Sequence, residues 1–445
     1  MVYDIEANEL NSAIENGSSV FWEFLSDNGK EAFFPTHGVL GQSVASKGAK
    51  INATIGIGLD DNGDMLSLPA IASKIDLPGK KVFPYISSFG LSELRVVWKK
   101  KMLEKNPSLD NDKISLPVIT GGLTHALSVA RYLFDVQGSK NDVGDILSYD
   151  FFWTNYNLIF GNGSGHKLVT FPTFVLDEES KKYKFDFGSL KKEISSREKV
   201  IVCLNFPNNP SGYSLTVEEQ EQMVSMLLDF AKKGKRLLVI CDDAYFGLFY
   251  EKDIAKESIF AKLANLHENI AAIKVDGPTK EELVWGLRVG CITFANKGAS
   301  LESLKALESK AAGVIRKTVS NVSTLSQNLI LSSLKSKNNS GEKKNNFNIL
   351  KERYSVCRKL LDENKKSYSE YFTVLPFNSG YFLCLKLDDS FDCDDVRLKL
   401  LNDHSIAVIA LPFGNLLRVA FSSVAVANLP IVFEKIVQVC SELQS

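Results

Sequence analysis

From about residue 117 to residue 296, short apolar, β-branched runs alternate with segments whose apolar residues recur every three or four positions. A strand buried on both faces reads as an unbroken apolar run, and a covering helix reads as a 3.6-residue period. This part of the chain therefore predicts a largely parallel sheet packed between helices. The clearest unit starts at Lys199. Lys199 to Asn205 predicts a buried strand, residues 208–213 a turn, and Thr216 with Glu219 three positions later a capping box that opens a helix. Met223, Met226, Leu227 and Phe230 share one face of that helix, Gly234 stops it, and residues 237–241 predict the next strand. In sheets of this kind ligands bind beyond the carboxyl ends of the strands, which directs the search to residues 205–212 and 242–245.

The polar, low-complexity stretch 336–346 predicts an exposed loop near a domain boundary. Beyond it, a long helix around 349–370, a strand pair around Tyr381 and Ile406 and a closing helix from about Leu429 predict a second, smaller unit. No internal repeat is visible. A length of 445 residues exceeds one ordinary core, so two or three domains with a deep site between them are expected.

Composition narrows the partners. With 44% hydrophobic and 24% charged residues the chain reads as a well-packed globular protein, and a net charge of −1 gives no electrostatic case for nucleic acid or an anionic membrane. Small molecules are the expected ligands. The seven cysteines, Cys203, Cys241, Cys291, Cys357, Cys384, Cys393 and Cys440, form no CxxC pair and sit largely in apolar runs, as buried reduced thiols do. The histidines His37, His125, His166, His267 and His404 are scattered, and no metal site is expected. The acidic start lacks the basic and then apolar regions of a signal peptide. The most apolar stretch, from Ala407, is interrupted by Pro412, Gly414, Asn415 and Arg418, too soon for a membrane span. A cytoplasmic location is expected. The segment 17–45, rich in phenylalanine and glycine, leaves two readings open, a lid over the site or a surface for a partner subunit.

Six short segments carry chemistry. A strand runs into a Gly-Pro turn holding Lys280, and Arg288 follows inside Gly286-Leu287-Arg288-Val289-Gly290; by itself this reads as a hairpin-like connection with a solvated lysine. In Thr120-Gly121-Gly122-Leu123-Thr124, glycines precede a helix, whose free N–H groups and dipole suit a phosphate. Trp153 lies in an aromatic cluster, residues 150–156, that alone reads as core. Asn208-Asn209-Pro210-Ser211-Gly212 is a turn by composition. Asp242-Asp243-Ala244-Tyr245 closes a strand, and Arg418 interrupts the apolar strand Leu417-Arg418-Val419-Ala420-Phe421, where a buried guanidinium is costly unless paired.

In their order along the chain, over about residues 50–421, the segments resemble the fold type I pyridoxal 5'-phosphate (PLP) dependent aminotransferases, class I/II, of the aspartate aminotransferase family. The resemblance implies an α/β fold. A large domain (76–335) would hold a mainly parallel, mixed seven-stranded sheet between helices, and a smaller α/β domain would comprise 336–445 together with the N-terminal segment 1–75. It implies that Lys280 carries PLP as a Schiff base and acts as general base. Gly122, Leu123, Thr124 and Arg288 would hold the phosphate, and Trp153 would stack on the ring. Asn209 and Tyr245 would bond its phenolic oxygen, and Asp242 would keep the ring nitrogen protonated, with Asp243 as the competing carboxylate. Arg418 would clamp the substrate carboxylate beside Gly56, with Asn209 nearby. Tyr85 would reach the phosphate in a neighbouring subunit, which implies a homodimer with shared active sites. Arg316 matches the place where aspartate-type enzymes read a distal carboxylate. The family usually has a serine three residues before the lysine; here it is Gly277, with Thr279 as the compensating candidate.

The activity implied is transfer of an amino group between an L-amino acid (aspartate, glutamate or an aromatic amino acid) and a 2-oxo acid. Two rivals stay open: C–S β-elimination on the same fold, since fold does not decide reaction, and a PLP-binding regulatory protein, which needs a DNA-binding module that the short, acidic first 50 residues do not offer.

Overall fold

The computed structural model describes residues 4–17, 38–134, 146–161, 168–179, 182–411 and 413–444, together with Trp22, Leu25 and Lys30. His37, His166, Pro412 and most of 18–37 lie outside the described residues.

In chain order the elements that build the site begin with β1 (Ile51–Asn52), α1 (Ser92–Lys105), β2 (Val118–Thr120), α2 (Leu123–Leu133), β3 (Ile146–Tyr149) and β4 (Leu168–Phe171). They continue with β5 (Lys199–Asn205), α3 (Val217–Lys232), β6 (Arg236–Asp242), β7 (Ile270–Asp276), the single turn α4 (Pro278–Glu281), β8 (Gly290–Asn296) and α5 (Leu301–Thr318). The remainder holds α6 (Thr324–Leu334), α7 (Asn339–Glu363), β9 (Phe372–Val374), β10 (Leu383–Leu387), β11 (Ile406–Ala407), β12 (Ile409–Leu411), β13 (Leu416–Val419) and α8 (Leu429–Gln444).

Seven strands form one sheet in the order β2-β8-β7-β6-β5-β3-β4. The pairs from β7 to β4 are parallel, and only β8 runs against its neighbours β7 and β2. The alternation of side chains along each strand splits the interior into two layers. Val200, Val202, Leu204, Val239 and Cys241 face one way, against Met223, Leu227 and Phe230 of α3. Ile201, Cys203, Ile240, Ile273 and Val275 face the other, against Leu127 and Ala130 of α2 and Ile315 of α5. The capping box is present, with the Thr216 side chain on the Glu219 N–H and the Glu219 side chain returning to the Thr216 N–H. The seven cysteines are free, and all but Cys393 are buried.

A second, antiparallel sheet has the order β9-β10-β13-β12 and packs on α7 and α8. The N-terminal part of the chain joins this side: β1 pairs in parallel with β11, Ile51 opposite Ile406. Within the described part of 17–45, the helix Gly38–Ala45 is pinned to β12 of its own chain, because Gln42 exchanges two 2.8 Å hydrogen bonds with the backbone of Ala410. Among the described residues no helix is long and apolar enough to cross a membrane.

One expectation fails here. The stretch 336–346 is not a loop: α7 begins at Asn339 and runs through it. Low complexity misleads because, although most of these polar residues face water, two of them meet carboxylates of the large sheet's side. Asn339 and Lys343 reach the carboxylates of Glu282 and Glu281, next to Lys280.

The turn 208–212 is docked rigidly between the sheets. Gly212 has φ +71°, its carbonyl accepts from the N–H groups of Asn378 and Ser379, and a Cβ there would fall 1.8 Å from the Phe382 carbonyl oxygen. Gly212→Ala must bear both the left-handed penalty and a backbone collision, so we expect a loss of about 2 kcal/mol or more. A lowered urea unfolding midpoint at unchanged m-value would show it; an unchanged midpoint would contradict this packing.

Candidate active site

Strand β6 ends with two adjacent carboxylates, and the strand's period of two sends them to opposite sides. Asp242 is buried, accepting from the Tyr156 hydroxyl at 2.6 Å and from the Ala244 N–H at 3.1 Å. Burial pushes its pKa up, against the pull of the Tyr156 hydrogen bond and of the nearby Lys280 ammonium. Asp243 instead pairs with the fully buried Lys274. Of the two candidate carboxylates, only Asp242 stands with Lys280.

Lys280 sits in α4, at the carboxyl end of β7, half-buried, its Nζ 5.2 Å from the centre of the Tyr245 ring. It is not the solvated lysine of an open hairpin. Burial pushes its pKa down to about 8; Asp242 opposes this shift and Arg288 adds to it.

A second group gathers around Arg418, which β13 presents between Cys384 of β10 and Ile409 of β12. Its Nη2 donates to the Thr54 carbonyl at 2.8 Å and its Nη1 to Asn209 Oδ1 at 3.2 Å, and the guanidinium lies 4.5 Å from the centre of the Phe382 ring. Its Nε is buried without a partner, and among the described residues no carboxylate pairs with it. Gly56 approaches the same ring so closely that a Cβ would lie 2.7 Å from Phe382 Cζ. Asn209 is fixed by its backbone N–H on Asn205 Oδ1, at 2.9 Å, while Asn205 Nδ2 donates to the Asp242 carbonyl. The side chain of Asn209 also reaches the Tyr245 hydroxyl, whose pKa burial drives upward.

Three glycines bring the start of α2 against the loop after Lys280. Gly122, at φ +97°, caps α2 with no side chain, and a Cβ on it would lie 2.5 Å from Arg288 Nη2. A Cβ on Gly290 would lie 2.6 Å from the Gly122 carbonyl carbon, and one on Gly277 would lie 2.9 Å from Gly290 Cα. Leu123 and Thr124 follow in the first turn of α2, beneath the exposed Arg288 guanidinium. The serine that the resemblance leads one to expect at 277 has no room in this packing. The buried Thr279 hydroxyl donates to the Val289 carbonyl at 3.3 Å and braces the Arg288 loop.

Trp153 is half-buried and meets Tyr156 edge-on, with ring centres 5.9 Å apart. Tyr156 itself escaped the sequence reading, although it follows Trp153 by three positions, at the spacing that shares one helical face. Two expected residues stand apart from this group. Tyr85 is 92% exposed. Arg316, exposed in the last turn of α5, donates to Ser320 Oγ at 2.7 Å. Both lie along one outer edge, where Ser88 Oγ donates to the Ser320 carbonyl at 2.6 Å.

A lysine, a carboxylate and a cationic, glycine-lined cup at the strand ends of a mainly parallel sheet define the aspartate aminotransferase type of fold. Cytoplasmic aspartate aminotransferase of Saccharomyces cerevisiae matches with a TM-score of 0.71 at 19% identity, over 96% of this chain and 100% of that one. An aminotransferase of Anaerococcus prevotii matches with a TM-score of 0.75 at 24% identity, over 90% and 94%. The chain belongs to the aminotransferase class I and II family, whose sequence model matches residues 49–436, and this family uses PLP. Among curated proteins it is similar to a tyrosine aminotransferase of Caenorhabditis elegans, 27% identical over 223 residues, 48% of this chain and 43% of that one. The chain spans about half or less of the length of the first curated relatives that it matches.

The electrostatics predict how the Lys280 amine titrates in the protein without cofactor. Competitive acylation followed by mass spectrometry should show a midpoint near pH 8. Asp242→Asn removes an anion that favours the ammonium and should lower the midpoint; Arg288→Gln removes a cation that opposes it and should raise it. A midpoint near 10.5, the ordinary value, would contradict the enclosed geometry.

Proposed function

We propose that the protein is an aminotransferase that moves an amino group between an L-amino acid and a 2-oxo acid, with PLP linked to Lys280. The observation that carries this reading is Arg418, a buried guanidinium with an unpartnered Nε and no carboxylate of the described chain to neutralise it. Such a charge is costly unless a ligand supplies the anion, and an amino acid's carboxylate matches its planar fork.

The residues present fit the cofactor. The start of α2 offers backbone N–H groups and a positive dipole end to a phosphate, Gly122 keeps the approach free of a side chain, and Arg288 adds a fixed charge beside it. Asn209 and Tyr245 would hold the phenolic oxygen, Asp242 would face the ring nitrogen, and Trp153 would lie on the ring face. Bound there, PLP supplies a protonated ring that accepts electrons from the substrate Cα. The chain's own groups do the rest. Arg418, with Gly56 and Asn209 beside it, would orient the carboxylate so that the Cα–H points to Lys280. With a pKa near 8, the freed Nζ would be largely protonated at neutral pH until a cation beside it lowers the value further, and the neutral amine would then carry the Cα proton.

Tyr85 and Arg316 share an exposed edge, where their own chain's contacts leave them open to a second copy, which supports a homodimer in which each reaches the partner's site. Arg316 would then read a distal carboxylate, so aspartate and glutamate are the donors to test first, with aromatic amino acids as the alternative. The pairing of β1 with β11 supports assigning 1–75 to the smaller domain with 336–445, leaving 76–335 as the large one.

The test is the visible spectrum with added PLP, for the native chain and for Lys280→Ala. We expect a lysine-dependent band that an amino donor bleaches and a 2-oxo acid restores. No such band would end the cofactor assignment, and release of pyruvate and a thiol from a cysteine conjugate with no oxo acid required would replace transfer by elimination. Arg418→Lys loses the bidentate fork and should lower kcat/KM by roughly 10²-fold for every donor. Arg316→Ala should slow only dicarboxylic donors; a uniform loss in steady-state rates would exclude the distal-carboxylate role.

A further inference from the structure

The turn that carries Lys280 cannot hold itself in place. α4 has four residues and an N-cap, Gly277, with no side chain, and a helix so short has no stability of its own. The backbone beyond it is strained, because Leu283 and Arg288 sit at φ +54° and +51°, in the left-handed region that side chains disfavour. Strain of this kind persists only where surrounding contacts over-determine it.

Beside the Tyr381 hydroxyl, which donates to the Lys280 carbonyl at 3.3 Å, those contacts come from two carboxylates that directly follow Lys280. Glu282 is buried, accepting from Lys343 Nζ at 2.8 Å and from Asn339 Nδ2 at 2.8 Å. Glu281 pairs with the same Lys343 and with Lys105 of α1, and the two lysines hold its pKa down against burial. Two carboxylates are thus matched by two lysines, which is what enclosure of charge requires.

Lys343 and Asn339 belong to α7, and so does Arg353, which is fully buried and grips the other end of the site. Its Nη1 donates to the Ser422 carbonyl at 2.5 Å, four residues beyond Arg418, and its Nη2 to Asp61 Oδ1 at 2.9 Å. Ten residues of helix separate Lys343 from Arg353, about 15 Å of rigid rise.

We propose that α7 is a strut that sets the placement of Lys280 relative to Arg418, with Lys343, acting through Glu281 and Glu282, and Arg353 as its positioning residues. The inference rests on the cofactor and substrate reading above. A shift of the Lys280 turn against the carboxylate clamp would leave binding intact and misdirect the Cα proton, so the loss belongs in kcat rather than in KM.

Lys343→Gln is the first variant, since its side chain is 23% exposed and truncation there leaves no cavity in the core. With PLP added, its Lys280-dependent band should form. Loss of one lysine leaves a surplus carboxylate beside the turn and favours the protonated form, so the pH midpoint of that band should rise. Glu282→Gln removes an anion instead and should lower it. Both variants leave Asp242, Tyr245, Arg288 and Tyr381, whose hydroxyl donates to the Lys280 carbonyl at 3.3 Å, in place, and both should slow single-turnover transfer about 10- to 100-fold with donor KM little changed. Lys343→Arg should restore most of the rate. If Lys343→Gln fails to fold, the nearly isosteric Glu282→Gln carries the test alone. Native midpoint and rate in a folded variant overturn the strut while leaving the cofactor reading intact; absence of a Lys280-dependent band in the native chain overturns both.

Discussion

Arg418 is a full positive charge enclosed by protein and given only neutral partners, and the architecture around it follows from that constraint. A leucine at this place in β13, between Cys384 and Ile409, would be the more stable choice for folding alone, because desolvating a guanidinium costs several kcal/mol without a counter-ion. The two hydrogen bonds it does make come from far along the chain, from Thr54 and Asn209. Holding it therefore requires β1 to pair with β11, the 208–212 turn to dock on Phe382, and Gly56 to lack a side chain where it meets that ring. The smaller sheet, the N-terminal segment and a loop of the large sheet converge on one charge.

The same logic, with opposite outcome, governs the charges behind the site. Asp243, Lys274, Asp276, Glu281, Glu282, Lys105 and Lys343 are enclosed or nearly so, yet each meets an opposite charge. Trp98 Nε1 also donates to Asp276 at 3.1 Å. Structural charges are compensated within the chain, whereas Arg418 is not, and Arg288 lies exposed over the α2 start with a single long contact to the Trp285 carbonyl at 3.4 Å. The proposed ligand-binding role of Arg418 and Arg288 rests on that difference.

Much of this was legible in the sequence, and the reasons differ by element. β5 and α3 could be read because their signals are local: an unbroken apolar run, a capping box, a 3.6-residue period. Lys280, Asp242, Asn209, Arg288 and Arg418 stood out because they lie in short segments beside or within strands whose order resembles the aminotransferase family, and as candidates they remain proposals. The start of α7 could not, since what makes 339–346 helical is a set of buried carboxylates some sixty positions earlier, invisible to any local window. The contact of the Thr279 hydroxyl with the Val289 carbonyl, ten positions on, was invisible for a similar reason. Gly277 looked like a loss, yet the crossing of 277 with Gly290 and Leu123 leaves no space for any side chain, so the glycine is required by packing.

The balance of charge at the strand ends then decides what kind of ligand fits. Lys280, Arg288 and Arg418 are three cationic groups, and Asp242 is the single carboxylate set among them. Burial and Arg288 together push Lys280 toward its neutral form, which lowers the local surplus without adding a fixed anion. In the proposed reading, the ligand brings negative charge to two separated points, one at the helix start beside Arg288 and one beneath Phe382 at Arg418, with a cationic or neutral centre between them facing Asp242. A phosphate-bearing cofactor joined to an amino acid has this distribution of charge, and a neutral or cationic ligand does not.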